Sequence, residues 1–266
     1  MPPTAGVRRA ASLPRGRRVL ALFPHPDDEA YAAGGLLAWC AAGGATVELV
    51  CATRGEGGTD RAGGTPAGAA LADLRTRELE ASCRALGIGA PRVLALTDGE
   101  LAAADRAAAI ALVSEHLRRV RPHVAVTLGG DGVYASLDHR AWTDVVGAAV
   151  RGCGEPPRLL HAVFPRGLFV PVWRALRRGR GARLVAEVDP HSLGTDAADV
   201  ALRLDVRSVR DRKLAAIAAH RSQLLDGDPL TFLRPGIVDR LLDEEWYLVA
   251  DGPALPAGAR DPFAGL

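Results

Sequence analysis

The sequence predicts an α/β fold that is Rossmann-like, with a mostly parallel twisted sheet and helices on both faces. Short apolar, β-rich runs alternate with longer helical patterns as far as residue 165. This alternation is typical of a parallel sheet whose crossover helices pack on either side. Polar residues cluster directly after several of the predicted strands, and ligands of such folds bind beyond the carboxyl ends of the strands. We therefore expect one site at one edge of the sheet.

The first elements follow in order from their patterns. Strands are predicted at the apolar runs RVLALF (18–23), TVELVCAT (46–53), RVLAL (92–96), HVAVTL (123–128) and RLLHAVF (158–164). Helices are predicted between them at 30–44, 69–86, 106–120 and 139–152, which are longer than the strands and carry helical patterns. Glycines end the first helix, and Gly87 ends the second.

The pattern weakens after residue 165, where a proline-rich segment, 165–199, is either a helix or an insertion near the site. A strand at 200–206, a helix at 209–225 and a last strand at 244–250 follow, and the tail is loop-like. The chain shows no repeat and no linker, so we expect residues 18–266 to form a single domain. The basic segment 1–17 lacks the apolar core of a signal peptide and is predicted to be a flexible arm.

Composition and charge argue against several classes of protein. The chain has 33 basic and 31 acidic residues, a balance that does not favour a nucleic-acid or membrane-surface partner. It contains no apolar run of about 18 residues, so no membrane span is expected. Its cysteines are widely spaced and predict neither a disulfide framework nor a cysteine zinc site: Cys40, Cys51, Cys83 and Cys153. We expect a reduced, cytoplasmic setting.

The stretch FPHPDDEAYAAGG (23–35) carries the densest polar cluster, with His25, Asp27, Asp28 and Glu29 inside five positions. The carboxylates repel one another unless a cation lies among them, and a bound divalent metal would supply that charge. Catalytic zinc takes three ligands from His, Asp or Glu. If this turn supplies two of them, the third must come from elsewhere in the chain. Other polar loops follow other strands and are expected at the same edge: Arg54–Asp60, Asp98 and Tyr134–His139.

The chain resembles the LmbE/PIG-L-like zinc-dependent N-acetylglucosamine deacetylases over nearly its whole length. PHPDDE is similar to the family's first motif, and SLDH (136–139) corresponds to its second motif, usually HPDH. Four further segments are similar to segments of the family: RGEGG, RTRELEASCRALGI, LTDGEL and KLAAIAAHRSQ. The tail DEEWYLV…AGARDPFAGL is closest in appearance to actinobacterial members that deacetylate the N-acetylglucosaminyl inositol precursor of mycothiol.

The resemblance implies a metal site and a base. His25, Asp28 and His139 are the implied zinc ligands, and Asp27 is the implied general base. The base would take a proton from the attacking water and hand it to the leaving amine. Ferrous iron also suits a site with two histidines, one aspartate and open positions. Tyr134 matches a family tyrosine that can point at the oxyanion.

Other residues carry two interpretations each. Arg75 and Asp98 match family positions that hold sugar hydroxyls, but Arg75 could equally be a solvated helix residue or pair with Glu78, and Asp98 a turn residue. Glu29 is expected either to contact the metal ligands without binding the metal itself, or to lie at the start of a helix. Asp138 should orient a neighbour or cap the helix that begins at His139. His220 either lines the site or is a core or helix-end histidine, and we favour the latter.

The second motif departs from the family pattern, because Ser136 and Leu137 replace its first histidine and its proline. The resemblance implies that this histidine helps to stabilise the oxyanion, and a lost oxyanion donor costs roughly two to three orders of magnitude in rate. Either another group such as Tyr134 fills the role, or the protein is slow or repurposed.

Three functions therefore stay open. The leading one is a zinc hydrolase that deacetylates a small molecule containing N-acetylglucosamine. The second is a related amidase that acts on a thiol conjugate or on an N-acylated sugar of a natural product. The third is a metal-dependent sugar-binding protein without turnover. In each case the predicted partner is a small molecule, with neither a nucleic acid nor a membrane, and a homo-oligomer stays open.

Overall fold

The computed structural model describes residues 14–171, 174, 189, 191–224, 227–229 and 237–266. Residues 1–13 of the predicted arm and residues 172–173, 175–188 and 190 of the proline-rich segment lie outside this part of the chain. Residues 14–17 are described and lie beside α1 and the tail. The amide of Gly16 donates to the carbonyl of Gly44, and the guanidinium of Arg17 donates to the carbonyl of Leu266 at 2.6 Å.

The described residues form an α/β fold around one seven-stranded sheet, as the sequence predicts. The strands are β1 Arg18–Phe23, β2 Thr46–Cys51, β3 Arg92–Val93, β4 Val124–Leu128, β5 Arg158–Val163, β6 Leu202–Asp205 and β7 Glu244–Asp251. The helices are α1 Asp28–Ala42, α2 Ala69–Leu86, α3 Arg106–Val120, α4 Gly132–Ala135, α5 Leu137–Arg151, α6 Arg210–Ala219 and α7 Ile237–Asp243. Short 3₁₀ turns precede and follow α6.

The sheet order is β3-β2-β1-β4-β5-β7-β6. Strands β1 to β5 pair in parallel, with Val19 of β1 opposite Val47 of β2 and Val124 of β4. The last strand, β7, enters between β5 and β6 and is antiparallel to both. This confirms the mostly parallel sheet and adds the position of β7, which the sequence pattern does not give.

Helices cover both faces of the sheet, because alternate side chains of each strand point to opposite sides. Helices α1, α2 and α6 pack over Val19, Ala21 and Phe23 of β1. Helices α3 and α5 pack over Leu20 and Leu22 on the other face. None of the helices within the described ranges has the length and apolar character needed to cross a membrane.

Several predicted boundaries match and others shift. The bounds of α2 and α3 are those predicted, and Gly87 ends α2 in the left-handed conformation at a φ of 78°. The third strand is shorter than predicted, although the amides of Leu94 and Leu96 still donate to carbonyls of the β2 end. Helix α5 begins at Leu137, two residues before the predicted start, because the Ser136 side chain caps it.

Candidate metal centre and active site

The predicted polar loops meet at the carboxyl ends of the parallel strands. His25 and Asp28 follow β1, and the loop after β2 contacts the loop after β3, where the amide of Gly57 donates to Asp98 Oδ2 at 2.9 Å. Helix α5 begins beyond β4 and brings His139 to the same edge. The site therefore lies where parallel α/β sheets generally bind ligands.

Three ligand atoms converge between β1 and α5. His25 Nδ1 lies 3.2 Å from His139 Nε2 and 3.4 Å from Asp28 Oδ2. Asp28 Oδ1 lies 3.5 Å from His139 Nε2, and one ligand atom from each residue falls within 4.8 Å of the others. Both histidines and Asp28 are buried or nearly so. These are the residues for which the resemblance implies metal binding.

Each of the two imidazole rings has an oxygen acceptor beside the nitrogen that lies away from the other ring. His25 Nε2 lies 3.0 Å from Asp98 Oδ1 and 3.2 Å from Asp138 Oδ2, and His139 Nδ1 lies 3.1 Å from the carbonyl of Gly132. An N–H at each of these two nitrogens satisfies its oxygen acceptor, and His25 Nδ1 and His139 Nε2 then face each other and Asp28. Neutral rings in this tautomer would direct both lone pairs and the Asp28 carboxylate at one point, which is the arrangement that binds a divalent cation. The residues therefore fit a divalent metal.

The electrostatic potential where His25, Asp28 and His139 meet is negative. Burial lowers the pKa of His25, but the carboxylates of Asp138, Asp28 and Asp98 outweigh it and hold that pKa well above its usual value. Asp138 also accepts hydrogen bonds from the amides of Gly99 at 2.8 Å and Leu101 at 3.1 Å, so it is fixed on both sides. Of the two predicted roles of Asp138, the structure shows contact with a neighbour, since Ser136 provides the cap of α5.

Asp27 lies beside the ligand set but belongs to none of the metal-ligand groups found among the described residues. Its carboxylate Oδ1 lies 3.5 Å from Arg75 Nη2. Burial raises the pKa of Asp27 to about 6; the Arg75 guanidinium and His220 oppose this shift, and the charges of Asp28 and Glu29 add to it.

Glu29 is fully buried behind Asp27. Its Oε2 accepts from the Asp27 amide at 3.0 Å, and its Oε1 lies 2.6 Å from Ser82 Oγ and 2.7 Å from His220 Nε2. Burial lowers the pKa of His220, but the Glu29 carboxylate outweighs burial and the pKa is raised. His220 is buried and ends α6, in agreement with the favoured interpretation of a core or helix-end histidine, and its ring also contacts Glu29. No local pattern signals this contact, because His220 and Glu29 lie 191 positions apart in the chain.

The other predicted residues occupy distinct places. Arg75 is buried and donates to the carbonyls of Pro26 and Gly55, so it is neither solvated nor described in an ion pair with Glu78. Ser136 Oγ accepts from the His139 amide at 3.4 Å, and Leu137 beside it is 70 % exposed. Tyr134 belongs to α4, but its side chain lies outside the described part of the chain. The predicted contacts of Arg75, Asp98 and Ser136 with substrate stay predictions.

Solved structures share this fold. The 4-carboxy-2-hydroxymuconate hydratase GalB from Pseudomonas putida aligns with a TM-score of 0.64 and 18 % identity over 91 % of this chain and 100 % of its own. The N,N'-diacetylchitobiose deacetylase from Pyrococcus horikoshii aligns with a TM-score of 0.58 and 23 % identity over 87 % of this chain and 83 % of its own. A hydratase and a deacetylase on one fold show that the fold alone does not decide the reaction.

Sequence relatives are more informative. Residues 20–150 match the family model for PIG-L, GlcNAc-PI de-N-acetylase. A protein from Nakamurella multipartita is 35 % identical over 91 % of this chain and 92 % of its own, and one from Thermobispora bispora is 34 % identical over 92 % of each. Both relatives are named 1D-myo-inositol 2-acetamido-2-deoxy-alpha-D-glucopyranoside deacetylase. The matched segment includes His25, Asp27, Asp28 and His139, and the chain belongs to the PIG-L family.

Proposed function

We propose that this protein is a zinc-dependent hydrolase that removes the acetyl group from an N-acetylglucosamine unit of a small molecule. The observation that carries the proposal is the convergence of His25, Asp28 and His139, whose ligand atoms all lie within 4.8 Å of one another while the outer ring nitrogens face oxygen acceptors. Two nitrogens and one carboxylate oxygen are a ligand set that catalytic zinc accepts, and ferrous iron is the alternative metal.

The reaction divides between the metal and Asp27. A divalent metal held by His25, Asp28 and His139 would, when bound, supply Lewis acidity toward the amide carbonyl and toward water. Asp27 accepts the proton of the attacking water as the new C–O bond forms, and it delivers that proton to the amide nitrogen as the C–N bond breaks. The products are acetate and a free amine. Ser136 and Tyr134 are the proposed donors to the developing oxyanion.

The relatives support a particular substrate. Those at 31–35 % identity carry the name of a deacetylase for N-acetylglucosaminyl inositol and come from several organisms. The direct test is amine release from N-acetylglucosaminyl inositol by zinc-loaded protein, with an N-acylated thiol conjugate and a natural-product N-acyl sugar assayed in parallel. Release only from one of the latter would favour the amidase alternative. Binding of the sugar without release from any substrate would favour the non-catalytic alternative.

Metal removal should destabilise the protein as well as inactivate it. A ligand that binds only the folded state adds about 2.7 kcal/mol at one hundred times its Kd, so zinc should raise the melting temperature of chelator-treated protein and restore amine release. The His139→Gln variant should lose most of the zinc-induced shift, because it removes one of the three ligand atoms. Equal melting temperatures with and without zinc in the unmodified protein would contradict the metal site.

Ser136→His should raise turnover if the loop can hold the ring near the reacting carbonyl, since a donor of this kind is worth roughly two orders of magnitude in rate. The substitution also removes the Ser136 cap of α5, which should cost about 1 kcal/mol of stability. Steady-state kinetics on both proteins, with urea unfolding alongside, separates the two effects. Unchanged or lower turnover in folded Ser136→His would show that Tyr134 or another group already fills the role.

A further inference from the structure

The backbone of Asp27 adopts a conformation that side chains rarely occupy. Its φ is 122° and its ψ is −29°, in a region that glycine tolerates and that costs other residues about 1–3 kcal/mol. Such strain persists only where the surroundings hold the residue in place. It lies at the residue that the proposed reaction uses as its base.

Hydrogen bonds on both sides of Asp27 hold this conformation. The Asp27 amide donates to Glu29 Oε2 at 3.0 Å, and its carbonyl accepts from the amide of Ala30 at 3.0 Å. The preceding carbonyl, that of Pro26, accepts from the buried guanidinium of Arg75. Glu29 is the partner of the amide, so the position of its carboxylate fixes the turn of the chain into α1.

Glu29 is in turn held by helices α2 and α6. Ser82 Oγ donates to Glu29 Oε1 at 2.6 Å from α2, and His220 Nε2 lies 2.7 Å from the same oxygen at the end of α6. All three side chains are buried, and a buried carboxylate is stable only with its charge and its hydrogen bonds satisfied. Loss of His220 therefore removes one of the two side-chain hydrogen bonds that hold Glu29 Oε1 in place.

We propose that the buried Glu29–His220 pair is a positioning device for Asp27, which holds the strained backbone of Asp27 and so aims its carboxylate at the reacting atoms. The catalytic part of this inference rests on the proposed function. His220 acts through Glu29: its one described side-chain hydrogen bond is to Glu29 and not to His25, Asp28 or His139. A pair that only stabilised the fold would leave the Asp27 amide and the turnover number unaffected in folded variants.

The test compares His220→Leu with His220→Gln, since glutamine can still donate a neutral hydrogen bond to Glu29. His161→Gln is the matched control, because its ring Nε2 is also buried but it lies on β5. In zinc-loaded protein we would measure hydrogen exchange of the Asp27 amide by NMR, zinc affinity by chelator competition, and kcat and KM for amine release from N-acetylglucosaminyl inositol.

His220→Leu should speed exchange of the Asp27 amide at least tenfold, to about the rate of a locally opened turn. It should lower kcat about 10- to 100-fold, as expected for a misplaced catalytic group, with zinc affinity and KM within about threefold. His220→Gln should restore most of the slow exchange at the Asp27 amide and most of kcat. His161→Gln should change neither quantity. Wild-type exchange at Asp27 in folded His220→Leu, or a zinc affinity that falls as far as kcat, would overturn the inference.

The design separates this inference from the proposed function. If wild-type protein released no amine, the proposed function would fail, while exchange at the Asp27 amide would still decide whether the pair holds the backbone. If His220→Leu did not fold, Ser82→Ala would provide the same comparison, because it removes another donor to Glu29 without removing a charge.

Discussion

Asp27→Asn should lower kcat for amine release by about two to four orders of magnitude, the usual contribution of a positioned general base. The amide that replaces the carboxylate is nearly the same size but cannot take a proton from water. His25, Asp28 and His139 are untouched, so zinc content should stay at the wild-type level. Steady-state kinetics together with metal analysis of the purified variant measures both quantities.

Asp73→Asn is the matched control for this substitution. Asp73 lies on α2 with its side chain 61 % exposed and pairs with Arg54 at the surface. An exposed pair contributes only about 0–1 kcal/mol, so this variant should keep wild-type turnover. Asp27→Asn that retained more than about a tenth of kcat would exclude Asp27 as the base. Loss of zinc together with activity would instead make Asp27 a ligand.

Lys213→Met should lower the free energy of unfolding by about 3–5 kcal/mol, because it removes one partner of a buried ion pair. Lys213 Nζ lies 2.6 Å from Glu245 Oε1, and both side chains are almost completely buried. Glu245 also accepts from the amides of Gly35 and Leu36 at 2.7 Å and from Tyr247 at 2.6 Å. The pair thus joins α6, β7 and the middle of α1, and its loss leaves a buried carboxylate without a cation.

Arg119→Met is the control, since Arg119 and Glu48 lie at almost the same separation, 2.7 Å, but are 42 % and 34 % exposed. Water screens that pair, and its loss should cost less than about 1 kcal/mol. Adding Glu245→Gln to Lys213→Met should recover about 1–3 kcal/mol, because the amide needs no counter-charge. Urea unfolding of the four proteins measures these differences. Equal losses of unfolding free energy in Lys213→Met and Arg119→Met would show that burial does not set the contribution of an ion pair to stability.

Local patterns were enough to predict much of the fold and the edge of the sheet at which the polar loops meet. Helix α2 has its predicted bounds because its apolar residues recur at helical spacing and Gly87 can adopt the left-handed conformation that ends it. The convergence of His25, Asp28 and His139 was also predictable, since the carboxyl ends of parallel strands share one edge. The pattern of residues along the chain already contains this information.

Contacts between distant parts of the chain could not be predicted in this way. The insertion of β7 between β5 and β6 depends on competing strand pairings, and the apolar pattern of a strand does not name its neighbour. His220 meets Glu29 from 191 positions away, and the strained backbone of Asp27 depends on that carboxylate. The sequence by itself determined the fold class and which polar loops meet at one edge of the sheet. Only the tertiary structure decided what holds Asp27. Glu29 is buried, and so needs hydrogen-bond partners, only after α1, α2 and α6 have packed together.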